Sequence, residues 1–263
     1  MGYCRVSYNW ALNKQEKNYT SGGKFLSDND LKHTNPRVSF DGKYWYLGVG
    51  IEQEQIIEQL TDEIIGIDVG VKELAVCSNG MTFKNINKSQ RVKKLEKRLR
   101  RLQRKVSRKY EMNKEGNRFV KTSNIINVEN QIRMQHRKLN GIRNNHIHQA
   151  TNTIVKTKPC KVVMETLNTL NIKGMMKNRH LSKAIAKQRL YDFKSKLQYK
   201  CERFGIEFAE ADKWYPSSKL CSCCGTIKQD LKLSDRIYRC ECGLVIDRDF
   251  NASINLSRYK LAV

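Results

Sequence analysis

The chain has 263 residues, 39 % of them hydrophobic, enough to bury a core in one large or two small domains. Fifty Lys+Arg against 26 Asp+Glu give a formal charge of +24, the footprint of a protein that meets a polyanion, with nucleic acid the first candidate. No apolar run approaches the roughly 18 residues of a membrane helix, and MGYCRVSYNW lacks a signal-peptide core, so a cytoplasmic, nucleoid-associated protein is expected, with no membrane partner and no small-molecule substrate.

In chain order, Tyr8, Trp10 and Leu12 are read as one side of a short helix, followed by a loop at Thr20-Ser21-Gly22-Gly23. Arg37 to Glu52 reads as a β-hairpin. Val38 and Phe40 alternate, Asp41-Gly42 is a two-residue turn signal, and Tyr44, Tyr46 and Leu47 resume strand composition. The aromatic run Tyr44-Trp45-Tyr46, beside Arg37 and Lys43, suits either packing or nucleic-acid contact.

Glu63 to Lys72 contains a short apolar run bounded by glycines, which reads as a buried strand. Asp68 closes that run. A carboxylate left unpaired in a core is costly, so Asp68 is expected at the strand's end or beside a cation. Leu74–Cys77 and Met81–Phe83 supply further short strands, giving an antiparallel meander.

From Arg91 to Lys109 the character changes. Val92, Leu95, Leu99, Leu102 and Val106 follow a 3-4-3-4 spacing, the seam of a coiled-coil-like helix. Eleven Lys/Arg and a single acid, Glu96, surround it. A second helix is expected from Ser123 to Ile154, with Ile125, Val128, Ile132, Leu139 and Ile142 on its seam and the polar loop 113–117 before it. Solvated helix faces normally mix charge signs, so eleven to one points to phosphate contact. Arg98, Arg101, Lys105, Arg108 and Lys109 are the candidate nucleic-acid-binding residues. His136, His146 and His148, on or near the second helix, have no carboxylate partners nearby in sequence and are not assigned to catalysis.

Lys161 to Glu165 repeats the earlier theme, an apolar strand introduced by Pro159 and ended by one carboxylate. After a loop from Thr166 to Arg179, one helix is expected from its N-cap Ser182 to Phe204, with Ile185, Leu190, Phe193, Leu197 and Cys201 inward and Gly205 at its end. Ile206–Ala211 is a further strand and Lys213-Trp214-Tyr215-Pro216 a turn. Cys221 and Cys224 then form a C-x2-C knuckle, and Cys240 and Cys242 a shorter C-x-C one after fifteen intervening residues. Four thiolates in two close pairs suit a tetrahedral Zn2+ with no open position, a structural rather than a chemical site. Cys223 is a spare thiol, and the disulfide alternative requires an oxidising compartment that nothing else suggests. Asp247-Arg248-Asp249 leads into a last helix carrying Asn251, Ala252, Ile254, Asn255 and Leu256.

Asp68, Glu165 and Asp249 thus close a first strand, close a later strand and open a last helix. Two Mg2+ ions that cut a phosphodiester need bridging carboxylates of this kind. The alternative from pattern alone is three carboxylates in separate salt bridges.

The segments GIDVGVKELAVCSNG (66–80), VVMETLNTLNIKGMMKNRHLSKAIAKQ (162–188), WYPSSKLCSCCG (214–225) and YRCECGLVIDRDFNASINL (238–256) resemble the three RuvC motifs and the inserted zinc ribbon of the TnpB/OrfB family of transposon-encoded proteins, relatives of type V CRISPR effectors. The resemblance covers residues 37–263, with four motifs in the family's order. It implies an α/β fold, an RNase H-like (RuvC) mixed sheet with an inserted basic helical hairpin at 91–155 and an inserted Cys4 zinc ribbon at 214–246, together forming a nuclease domain at 63–263. It implies RNA-guided, Mg2+-dependent cleavage of a DNA target, with a guide RNA from the transposon end. Asp68, Glu165 and Asp249 fall at the family's catalytic carboxylates, and Asp247 is the alternative third member. Arg248 would then orient the carboxylates or meet phosphate. The family carries a wedge barrel and a recognition region ahead of the first motif. Residues 1–62 are read as a remnant of these, CRVSYNWAL (4–12) matching recognition and NPRVSFDGKYWYLGVGIE (35–52) the end of the barrel. Two other readings compete: a non-cleaving nucleic-acid-binding remnant or regulator, and a transposase that joins strands itself.

Overall fold

The computed structural model describes residues 3–12, 33–54, 59–167, 179–232 and 235–259. The chain forms two compact units, Met1–Gln55 with Lys88–Asn145, and Ile56–Asn87 with His146–Val263.

In the first unit, β1 (Tyr3–Leu12), β2 (His33–Phe40) and β3 (Trp45–Glu54) make an antiparallel sheet in the order β1-β3-β2. The expected helix around Tyr8 is therefore a strand, paired from Tyr3 with Glu54 to Leu12 with Trp45. Its sequence explains why. Cys4, Val6, Tyr8, Trp10 and Leu12 recur with a period of two, and aromatic and branched residues favour strands. The expected loop at Thr20–Gly23 lies outside the described residues.

Two helices complete this unit, α1 (Gln90–Met112) and α2 (Ser123–Lys156), the latter continuing into the second unit. Ser89 caps α1 by accepting from Val92 N. Val92 and Leu99 are buried on α1, as are Ile125, Val128 and Leu139 on α2. Between the helices, β7 (Lys114–Glu115) and β8 (Arg118–Phe119) form a minimal hairpin. Glu96, the single acid of the basic stretch, pairs with Arg143 at 2.8 Å. The hairpin turn between β2 and β3 has four residues rather than two, because Phe40 pairs with Trp45. Asp41 builds it, accepting from Lys43 N, Tyr44 N, Tyr46 Oη and Arg137 Nε. Burial alone would raise the Asp41 carboxyl, but those hydrogen bonds outweigh it and hold it far below the ordinary carboxylate range.

The second unit is built on a mixed five-stranded sheet: β4 (Thr61–Val69), β5 (Glu73–Cys77), β6 (Thr82–Lys84), β9 (Pro159–Glu165) and β10 (Glu207–Ala211), in the order β10-β9-β4-β5-β6. β4, β9 and β10 run parallel, while β5 and β6 return antiparallel in the expected meander. Parallel strands are covered on both faces and read as continuous apolar runs. On one face Ile65, Ile67, Val162 and Met164 pack with Ile147 and Ile154 of α2 and with Phe193 and Leu197. On the other, Val163, Ala209 and Ala211 pack with Leu256.

Phe193 and Leu197 belong to α4 (Leu190–Arg203), which follows α3 (Arg179–Gln188). One helix from Ser182 was expected. The structure has two, and Ser182 lies inside the first of them. Arg189 breaks the run in the left-handed region, at φ 56°. Ile185 and Leu190 are five positions apart, which is out of phase on one helix. The break re-phases the stripe so that both are buried. Gln188 holds the corner by donating to Gly70 O at 3.0 Å. On α4, Lys200 is only 6 % exposed, its Nζ donating to Thr151 Oγ1 at 2.7 Å and His148 O at 2.9 Å.

The last helix, α5 (Arg248–Ser257), lies against β4, and Gly66 permits it. A Cβ there would stand 2.0 Å from Ser253 O and 2.3 Å from Ser257 N. Before α5, β11 (Ile237–Arg239) and β12 (Val245–Asp247) form a two-stranded ribbon around the fully buried Tyr238. Among the described residues no helix is long and apolar enough to cross a membrane.

Candidate active site

Asp68 and Glu165 stand at the carboxyl ends of adjacent parallel strands. Ile67 pairs with Met164, so the next step along each strand presents a carboxylate. Asp249 sits in the first turn of α5, the helix that Gly66 lets lie on β4. The sheet and its covering helix therefore bring the three together. Half-buried Asp68 registers the result. Its carboxyl is raised well above the ordinary range, first by burial and then by the negative charges of Glu165 and Asp249, with Arg248 opposing.

Asp247, the alternative third member, also adds negative charge beside Asp68 and caps the helix. Its Oδ1 accepts from Asp249 N at 2.9 Å and Phe250 N at 3.2 Å, capping α5, and its Oδ2 faces Lys72 at 3.6 Å. Glu165 Oε1 accepts from Ser217 Oγ at 2.5 Å. Beside Asp249 opens a cavity of about 380 Å³ lined by Lys72, Val76, Thr82, Asp247 and Phe250.

The four cysteines of the two knuckles converge. The Sγ atoms of Cys221, Cys224, Cys240 and Cys242 all lie within 4.8 Å of one another. Cys221 and Cys242 are 3.7 Å apart, Cys224 and Cys240 3.5 Å. Four sulfurs at 2.3 Å from a tetrahedral ion are about 3.8 Å from each other, so the set fits a metal such as zinc. Hydrogen bonding by Thr226 pulls the Cys224 thiol down, while Cys240 and Cys242 beside it are pushed up, so these thiols share their protons as one group. Cys223 is exposed and outside the cluster. Among the described residues no other group of His, Cys, Asp or Glu gathers so tightly, the carboxylates included.

Two buried asparagines fasten this cluster to the carboxylates. Asn251 donates to Leu220 O at 2.7 Å and accepts from Ser222 N at 3.1 Å. Asn255 donates to Ser217 O and Leu220 O, both at 2.7 Å. Sequence reasoning noted both asparagines without a role and passed over Ser217. The available signal was a pair of amides at i, i+4 among the apolar positions of the last helix. In the other unit, Arg98, Arg101, Lys105 and Arg108 are exposed and Lys109 half-buried. Among the described residues none of the five is in an ion pair.

Three family models match in chain order: a "Helix-turn-helix domain" of the OrfB group at 1–24, the OrfB "Probable transposase" at 50–179 and the "Cas12f1-like, TNB domain" at 191–256. This chain belongs to the OrfB family. Within the first match, described residues 3–12 are the strand β1 rather than a helix. A Streptomyces pristinaespiralis protein is 30 % identical over 218 residues, covering 83 % of this chain and 50 % of its own length. InsQ of Escherichia coli K12 is 27 % identical over 241 residues, covering 87 % of this chain and 56 % of its own length. Both carry names that describe RNA-guided DNA endonucleases. The OrfB chain spans about half the length of the curated relatives it matches. In fold it is similar to the protein of a Cas12f1–sgRNA–target DNA complex, with a TM-score of 0.60 at 20 % identity over 92 % of this chain and 49 % of that one.

Proposed function

We propose that this OrfB chain is a transposon-associated, RNA-guided DNA endonuclease that hydrolyses phosphodiester bonds with two Mg2+ ions, on an RNase H-like (RuvC) core. The observation that carries the reading is the Asp68 carboxyl, driven upward by burial and by Glu165 and Asp249. Three carboxylates so placed repel one another, and hard divalent cations with oxygen ligands relieve that repulsion. Asp68, Glu165 and Asp249 would hold the ions, which when bound supply an activated water and stabilise the leaving oxygen. The chain's own residues set the geometry. Ser217 fixes one Glu165 oxygen, and Asp247 caps the turn that carries Asp249. Zn2+ in the Cys221, Cys224, Cys240 and Cys242 site would be structural, because four sulfurs leave no open position. The unpaired cations of α1 would grip the phosphates of a guide RNA from the transposon end or of the DNA target.

The test is co-expression with flanking genomic DNA, followed by Mg2+-dependent cleavage of a DNA library. Asp68→Asn, Glu165→Gln and Asp249→Asn are each expected to abolish cleavage and to keep nucleic-acid binding. Cleavage surviving in Asp68→Asn overturns the site assignment. Nucleic acid bound but never cut by the unaltered chain replaces the nuclease with a binding protein.

A further inference from the structure

Trp214 is 80 % exposed, although its loop is held firmly. The loop leaves the sheet at Ala211, which pairs with Glu165 across β10 and β9. It comes back at Ser217, whose Oγ donates to Glu165 Oε1. Both feet therefore stand on the same residue, Ala211 beside its backbone and Ser217 on its carboxylate. Between them, Trp214 N donates to Asp212 Oδ1 at 2.7 Å and Tyr215 N to Asp212 O at 3.1 Å. Asp212 N donates to Tyr259 Oη at 3.0 Å, Tyr215 Oη donates to Asn255 O at 3.1 Å, and the two tyrosine rings meet edge-to-face at 4.8 Å. The backbone is thus fixed while the indole is bare.

Burying an indole is normally favourable, so a rigid loop that presents one to solvent leaves that gain to a ligand. Lys213 Nζ lies 4.6 Å from the indole centroid, placing a cation beside the π face. Trp214 lies three positions from each foot, a span of at most about 10 Å between Cα atoms. The Trp214 backbone therefore stays within about 10 Å of both residues that flank Glu165, wherever the indole turns.

We infer that Trp214 and Lys213 form a base-stacking subsite for single-stranded DNA beside the carboxylate site, the indole taking a nucleobase face and the ammonium an adjoining phosphate. The inference rests on the nuclease reading above and adds to it how the strand is held at the cut. Stacking on an aromatic face tolerates every base, which suits an enzyme whose sequence choice lies in a guide.

The test uses the full chain carrying Asp68→Asn, so that nothing is cut, titrated with a short oligothymidylate by fluorescence anisotropy. Trp214→Ala is expected to weaken binding about tenfold. Trp214→Phe should recover most of the loss and Trp214→Leu little of it. An abasic oligonucleotide with the same phosphates should bind the parent and Trp214→Ala equally, and their unfolding midpoints should coincide. Unchanged affinity in Trp214→Ala, a penalty that persists on the abasic strand, or no binding by either chain overturns the subsite. Mg2+-dependent cleavage by the Asp68-intact chain is scored separately. Cleavage with no stacking penalty refutes the subsite alone, and its absence under every condition refutes the nuclease reading whatever Trp214 does.

Discussion

Replacing Gly66 by alanine should separate Asp68 from Asp249 without touching either. The added Cβ would meet Ser253 O at 2.0 Å, Ser257 N at 2.3 Å and the Leu256 carbonyl carbon at 2.9 Å. All three are backbone atoms of α5, so no rotamer offers an escape. Carbon–oxygen contacts settle near 3.3–3.6 Å, so α5 must retreat by more than about 1 Å. Overpacking that side chains can absorb costs about 1–3 kcal/mol. With a helix backbone as the obstacle, the cost is expected at about 3 kcal/mol or above, in the range reserved for severe core lesions. α5 carries Asp249, so its retreat also withdraws one of the charges that raise Asp68. Urea unfolding and an NMR titration of the Asp68 carboxyl test both parts. The expected result is a lower midpoint together with an Asp68 titration shifted down toward the ordinary carboxylate range. Gly70→Ala is the control, because its nearest atom, Glu73 O, is an ordinary 3.7 Å away. Stability within about 0.5 kcal/mol of the parent and an unmoved Asp68 in Gly66→Ala would refute the close approach.

Three further outcomes are expected. Asn251→Ala leaves the Ser222 N–H without its acceptor and Leu220 O with only its Asn255 donor, so it should cost about 2 kcal/mol in thermal unfolding and speed thiol labelling of Cys221. Burial lowers the Lys200 ammonium to about 8 from 10.5, so between those values the unfolded chain binds the extra proton and stability rises with pH. Lys200→Met should flatten that rise, worth at most about 3 kcal/mol, in pH-dependent urea titrations. Replacing Arg98, Arg101 and Lys105 by alanine should reduce the slope of log affinity against log salt for duplex DNA by about 2 to 3, and a parent-like slope would remove α1 from the interface.

The strand-borne carboxylates were legible because a buried parallel strand announces itself as an apolar run, and an acid at its end breaks the pattern visibly. The two long helices were legible from their 3-4 seams, and the cysteine cluster from its knuckles. β1 was misread because the odd residues between its alternating apolar positions include Tyr3 and Ala11, which blur a period of two in a short window. The break at Arg189 was missed because a left-handed residue other than glycine has no composition signal. Its trace was the five-residue step from Ile185 to Leu190. The asparagine clamp was beyond reach for another reason. Asn251 and Asn255 act on carbonyls at Ser217 and Leu220, more than thirty positions away, and no local pattern reports so distant a partner.

Asp68 and Asp249 are 181 positions apart in the chain, and their meeting depends on α5 docking over Gly66. A polypeptide still on the ribosome, with β4 and β9 already paired but residues 248–257 not yet released, would hold two of the three carboxylates and lack the helix that brings the third. The proposed cutting centre would then close only once α5 has emerged and docked, so a nascent chain short of that helix would be harmless to the nucleic acid around it.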